Sequence, residues 1–375
     1  MKETEFVFTR YLYEKEEVKI ALLFSLLNKN DDALFWAYEL YYSGFKEDLT
    51  DFIWTIYYQF YAAINPSFET FLYKKCKELE EPKTIAVICN NFMIRSYTAD
   101  VFILNQIVHS NTVTNEKLED EKLEDEKLED EKLEDLLKSK DYVKIAHFLK
   151  ELAEDKIKSC FTSVLNYFTC VPKKINATLF MKPSTSNTGN TDKRIILLSR
   201  IMHGYSLMND LRMGKNLYVA VKPEEIVMYE TIETSESLPA HKILKQARIY
   251  NINETKKLNL FSLKRETQNI QDAYFKDWLY YASHSPLWKK RIEPYGKIVA
   301  EQKKIIFFTE EKEEEFDSLY NYYPDEQSKE VSDKSVCEIS PMDLKTWNQY
   351  CLDVEEECVR DYLFKMRHFR LSFLL

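Results

Sequence analysis

Apolar residues keep helical steps of three and four from Glu14 to about Ser110, and the breaks between runs fall where helices end. Val18, Leu22, Leu26 and Leu27 form a first stripe, after which Asn30, Asp31 and Asp32 offer caps for a second helix over Ala33 to Tyr42. That second helix is apolar nearly all round, which predicts burial on more than one side and places Trp36 in a core. Gly44 follows where a helix C-terminus needs a left-handed residue. Leu49, Phe52, Ile53, Ile56, Tyr57 and Phe60 predict a third helix, stopped by Asn65-Pro66. Pro66 then starts a fourth helix at its first position, and Pro82 starts a fifth around Ile85, Ile88 and Phe92.

Helical spacing returns through Leu136, Leu137, Val143, Ile145, Phe148, Leu149 and Leu152, then through Phe161, Val164, Leu165 and Phe168, and again over Ile195 to Met208. Residues 182–192 are rich in Ser, Thr and Asn and contain Pro183 and Gly189, which marks an exposed loop. The run Leu217 to Val221 is short, β-branched and closed by Pro223, and reads as a strand. Lys297 to Val299 and Lys304 to Phe308, placed after Gly296, predict a β-hairpin. Trp347, Cys351, Val354, Cys358, Tyr362 and Met366 put one apolar face on a long last helix. The fold class is therefore mostly α, an antiparallel helical array with a small β-hairpin in the C-terminal region.

One tract breaks the pattern. From Glu116 to Asp135 the pentapeptide Glu-Lys-Leu-Glu-Asp is written four times without error. At about 100° per residue each copy rotates by roughly 140° around a helix, so Leu118, Leu123, Leu128 and Leu133 spiral rather than form a stripe. The expectation is an insert, extending a helix or a solvent loop, that supplies nothing to a core. Segmentation follows: an N-terminal helical array (1–112), the acidic insert (113–137), a middle helical region with the polar loop (138–250), and a C-terminal α region with the hairpin (251–375).

The insert also changes the reading of charge. Each copy carries three acids and one lysine, so four copies supply −8 of the formal −10. The rest of the 375 residues is close to neutral, and the acidic balance argues neither for nor against nucleic acid. Only five glycines occur, at 44, 189, 204, 214 and 296, too dispersed for a phosphate-cradling loop or a dinucleotide fingerprint. Seven cysteines without a Cys-x-x-Cys pair, and six dispersed histidines, give no zinc pattern and fit reduced thiols inside a cell. The start of the chain lacks a signal-peptide pattern, and no run of about 18 uncharged apolar residues occurs, so membrane insertion is not expected.

Candidate chemistry is sparse. Tyrosine doublets at 41–42, 57–58, 280–281 and 322–323 suit stacking on bases, but helix-core packing accounts for them more simply. Two basic clusters remain as candidate contacts for nucleic acid or a partner: Lys289, Lys290 and Arg291, and Lys365, Arg367 and Arg370 with His368 beside them. The second cluster also complements a helix C-terminus. No catalytic constellation, cofactor motif or metal set stands out, and an enzyme of unrecognised type ranks third among the functional readings.

Two segments carry a resemblance. The sequence Ala33-Leu-Phe-Trp-Ala-Tyr-Glu-Leu-Tyr-Tyr-Ser-Gly-Phe45, with Trp54 to Pro66, resembles uncharacterised proteins of giant double-stranded DNA viruses. So does Asp277-Trp-Leu-Tyr-Tyr-Ala-Ser-His-Ser-Pro-Leu-Trp288, with Tyr295-Gly296 and Tyr323-Pro-Asp-Glu-Gln327. The N-terminal pattern is also similar, more distantly, to the helical region after the ATPase module in clamp-loader-like AAA+ proteins, though this chain lacks that module. The resemblance implies no activity. It implies an interaction or scaffold protein with viral protein partners, working in the host cytoplasm, the viral factory or the virion. The rival expectation is a nucleic-acid-associated accessory factor in viral replication or transcription.

Overall fold

The computed structural model describes residues 7–109, 126–170, 188–209, 217–230 and 276–320. In chain order the helices are α1 (Lys15–Asn28), α2 (Asp32–Tyr42), α3 (Lys46–Ile56), α4 (Phe68–Cys76), α5 (Pro82–Met93), α6 (Asp100–His109) and α7 (Glu126–Ser139). They continue with α8 (Tyr142–Glu151), α9 (Ile157–Cys170), α10 (Lys193–Met208), α11 (Trp278–Ala282), α12 (Pro286–Ile292) and α13 (Glu310–Tyr320). The sheet among these residues is one antiparallel hairpin, β1 (Gly296–Val299) with β2 (Lys304–Phe307). The protein is mostly α, with its small hairpin in the C-terminal region, as the spacing predicts.

Two compact units emerge, one built from residues 7–49, 78–93, 219–230 and 276–320, the other from 50–77, 94–109, 126–170, 188–209 and 217–218. Each gathers stretches far apart in sequence, whereas composition and punctuation divide the chain linearly at 112, 137 and 250. Long-range pairing leaves no mark on local composition, which is all that a linear division can use.

In the first unit α1, α2 and α5 pack on one another. Val18, Leu22, Leu26 and Leu27 of the predicted stripe are all buried. α2 buries Ala33, Trp36, Ala37, Tyr38, Glu39, Leu40 and Tyr41, which fits a helix apolar on nearly every side. Trp36 meets Tyr13 and Phe35 edge-on, with ring centroids 5.0 and 4.9 Å apart. Two tyrosine hydroxyls of α2 are satisfied by backbone at the entry to α5: Tyr38 donates to the Pro82 carbonyl at 2.9 Å and Tyr41 to the Glu80 carbonyl at 2.8 Å. Gly44 takes φ +92°, and a Cβ there would lie 2.6 Å from the Cβ of Pro286. Both the left-handed turn and the close approach of α12 need glycine.

The expected strand at 217–221 does not form; residues 217–222 join no ladder among the described residues. Instead, the Asn91 amide holds Val219 as a neighbouring strand would. Its Nδ2 donates to the Val219 carbonyl at 2.9 Å, and Val219 N donates to Asn91 Oδ1 at 3.0 Å.

In the second unit α10 forms the spine, with every residue from Ile196 to Ser206 buried. It packs on α6, α8 and α9, and α7 packs on α8 and α9. Asp192 caps α10 by accepting from Arg194 N at 2.9 Å. The third predicted helix reaches Tyr61 by a change of pitch: α3 runs into a π-helical turn, Tyr57–Tyr61, closed by Ala62 N donating to the Tyr57 carbonyl at 2.8 Å. α4 begins at Phe68, two residues later than Pro66 suggests, because residues 65–68 first close a turn with Phe68 N on the Asn65 carbonyl at 3.1 Å.

The pentapeptide tract needs a correction. Residues 126–135, which hold its last two copies, lie in α7, where Leu133 is 0% exposed and Leu137, one turn on, 1%. The acidic positions of the last copy, Glu131, Glu134 and Asp135, face solvent. The last predicted helix, 347–366, and residues 182–187 of the polar loop lie outside the described residues.

Candidate functional site

The hairpin of the first unit presents an apolar and basic surface. Its register pairs Gly296 with Phe307, Lys297 with Ile306, Ile298 with Ile305 and Val299 with Lys304. Side chains alternate along each strand, so Lys297, Val299, Lys304 and Ile306 share one face. Phe308 extends it, since its N donates to the Tyr295 carbonyl at 2.9 Å and keeps the pairing in step. On the opposite face Phe307 packs against α13, its ring centroid 5.4 Å from that of Phe316, while Ile298 stays 40% exposed. The first face is open: Ile306 and Phe308 are each 51% exposed, and Lys297 and Lys304 are exposed beside them. Lys297 Nζ stands 5.9 Å from the Phe308 ring centre.

Charge is separated around this face. The lysines lie on the hairpin, whereas α13 opens with Glu310, Glu311 and Glu313 and also exposes Glu314 and Glu315. Carboxylates in the first turn complement the helix dipole, so the acidic cluster also stabilises the helix that packs behind the hairpin.

The basic triplet at 289–291 is not uniform. Lys289 and Lys290, in the last turn of α12, are exposed. Arg291 is 7% exposed and lies over the rings of Trp288 and Tyr320, its Cζ 4.8 and 4.9 Å from their centres. It acts as core glue through cation–π attraction and cannot present its charge to a phosphate as the lysines can. Three consecutive residues on a helix span about 200°, so one member turns inward. Lys365, Arg367 and Arg370 lie outside the described residues.

Of the six described doublet tyrosines, Tyr41, Tyr57, Tyr58, Tyr280 and Tyr281 are buried and offer no stacking platform, and Tyr42 is half-buried with the Arg10 guanidinium over its ring.

Two buried ion pairs carry the strongest internal electrostatics. In the first unit Arg10 Nε donates to Glu39 Oε2 at 2.8 Å and Arg10 Nη1 to the Tyr229 carbonyl at 2.8 Å, while Tyr11 N donates to Glu39 Oε1 at 3.0 Å. With the guanidinium also over the Tyr11 and Tyr42 rings at 4.4 and 4.9 Å, this pair fastens the N-terminal segment to α2. In the second unit Arg200 Nη2 donates to Glu69 Oε2 at 2.8 Å and Oε1 at 3.1 Å, and the Tyr58 hydroxyl donates to Oε1 at 2.7 Å. The π-helical turn aims Tyr58 at this carboxylate. Burial first, then the adjacent Glu69 charge, pushes the Tyr58 hydroxyl well above its ordinary range, so it remains a donor. Both pairs are enclosed by their own units and read as structural. A cleft of about 40 Å³ beside Lys150, Asp192 and Arg194 is the size of a water or two. Among the described residues no His, Cys, Asp and Glu group could hold a metal ion, and no helix is long and apolar enough to cross a membrane.

Periodicity finds the hairpin but not which of its residues face out. The run Ile305-Ile-Phe-Phe308 has no polar alternation, and only the register shows Ile306 and Phe308 to be the open pair.

No protein-family model, curated protein or solved structure matches the chain.

Proposed function

We propose that the protein is a non-enzymatic protein-interaction or scaffold protein of a large DNA virus, acting in the host cytoplasm, the viral factory or the virion. The observation that carries this reading is the open hairpin face, where Ile306 and Phe308 stay half exposed between lysines and a run of carboxylates. Apolar side chains bordered by both signs of charge suit a protein partner, because the rim charges orient docking while the apolar centre supplies burial. The viral assignment rests on the resemblance of the segments 33–45, 54–66 and 277–288. Affinity purification from infected cells tests it. Capsid or assembly proteins recovered with the intact chain support a scaffold role, and a chain recovered alone after mild crosslinking removes it.

A second reading, a nucleic-acid accessory factor, draws on Lys289 and Lys290, which are exposed in the last turn of α12. Its test is DNA binding against salt. If the two lysines each neutralise a phosphate, replacing both with alanine flattens the slope of log affinity against log salt by about one unit for each lysine. Binding that is weak near physiological salt and insensitive to the substitution leaves the scaffold reading in front.

A further inference from the structure

We propose that the open face of the hairpin receives an extended segment of a partner protein whose alternate side chains run acidic, apolar, apolar. This names the occupant of the surface on which the interaction reading rests.

Lys304, Ile306 and Phe308 occupy alternate positions on β2 and its extension, all on the open face. Alternate residues of a strand lie about 6.6–7 Å apart, and an extended partner has the same period. Three successive side chains on one side of such a partner can therefore sit over these three residues. The middle and last meet half-exposed aliphatic and aromatic surface, which favours apolar groups. The first meets Lys304, with Lys297 diagonal to it across the ladder, which favours a carboxylate.

Charge decides between occupants. A second copy of this chain would bring Lys297 and Lys304 against their own counterparts, and strand lysines are a common protection against such pairing. Nucleic acid would meet the lysines but also Glu310 and Glu311, which follow Phe308 within three residues. An extended segment with one carboxylate and two apolar groups satisfies the face without reaching the acidic helix.

The experiment uses the full chain and a fluorescent peptide repeating Glu-Thr-Ile-Thr-Leu, followed by anisotropy. The expected result is saturable binding that is lost in I306S/F308S. In K297E/K304E it weakens roughly five- to tenfold, as reversal of two exposed ion pairs implies. A peptide with lysine in place of glutamate then recovers affinity for K297E/K304E while binding the native chain less well, a swap that an unfolded variant cannot produce. Equal affinity for both peptides, no saturable binding, or tighter binding of a single-stranded oligonucleotide through the same four residues overturns the proposal. Complexes from infected cells that survive both double substitutions would keep the scaffold function and remove this site. Absence of any complex with the native chain removes the scaffold reading itself.

Discussion

Arg200 grips Glu69 through a single guanidinium nitrogen, Nη2, which reaches both carboxylate oxygens at 2.8 and 3.1 Å with the two side chains 2% and 9% exposed. The pair joins α10 to the start of α4, and Tyr58 adds a third hydrogen bond from the π-helical turn. Charges this deep gain from each other only what desolvation leaves.

Removing one partner should accordingly cost more than removing both. Glu69→Ala strands a buried cation and is expected to lower stability by about 3–5 kcal/mol. Arg200→Met combined with Glu69→Leu, which keeps volume and deletes both charges, should cost less than Glu69→Ala alone. Urea unfolding of the single and double variants measures this. A double variant that loses as much stability as Glu69→Ala, or more, would mean that the pair contributes net attraction beyond its desolvation.

Leu133 yields a second expectation, at odds with the periodicity of the repeat. Full burial in α7 predicts a loss of about 2–5 kcal/mol for Leu133→Ala, the range for a buried leucine truncation. Glu134→Ala, one residue on and exposed, should change stability by less than about 0.5 kcal/mol. Equal thermal midpoints for the two variants would place Leu133 at the surface.

The repeat shows what sequence reasoning can and cannot reach. A rotation of roughly 140° per copy does forbid a common stripe for the four leucines. It does not forbid one copy from packing when native helix follows it. Leu133 falls four residues before Leu137, and that spacing, visible in the sequence, is the available signal. Helix positions are legible wherever stripes meet strong punctuation, as at Gly44 and Pro82. The π-helical turn is not, because Tyr57 to Tyr61 is apolar on nearly all sides and no period distinguishes a pitch change there. Residues 217–221 mislead for a different reason: their β-branched composition describes an extended backbone, but its partners are side chains, Asn91 at Val219 and Arg95 at Leu217. At the candidate site, the lysines and the hairpin are readable, whereas the inward turn of Arg291 and the outward turn of Ile306 depend on register and neighbours.

Thiol chemistry should separate three of the four described cysteines by environment. Burial pushes the thiols of Cys76 and Cys89 up to about 12, while Cys170 is exposed. A raised thiol value means that the reactive thiolate is scarce below it. At pH 8, about four units lower, roughly one molecule in ten thousand carries it. Peptide-resolved alkylation at pH 8 should thus label Cys170 and spare Cys76 and Cys89 in the folded protein, with all three modified after denaturation. Rapid native labelling of Cys89 would show that α5 opens readily.

Asn91 offers the sharpest test of the false strand. Its amide donates one hydrogen bond to Val219 and accepts one from it, while Nδ2 also donates to the Val87 carbonyl at 2.7 Å, so each of two substitutions removes a different part of the clasp. Asn91→Asp keeps an acceptor for Val219 N but sets a carboxylate against the Val219 carbonyl, where repulsion replaces a hydrogen bond. Asn91→Ala deletes both bonds to Val219 and leaves room for water to reach its backbone groups. Because an unsatisfied buried polar group costs about 1–3 kcal/mol, more when charged, the aspartate should destabilise at least as much as the alanine despite its closer shape. Hydrogen exchange at the Val219 amide distinguishes the two. Protection should fall strongly in Asn91→Ala, where the acceptor is gone, and less in Asn91→Asp at equal global stability. The same protection in both variants would mean that Val219 is held by its packing and that the amide only mimics a strand partner in geometry.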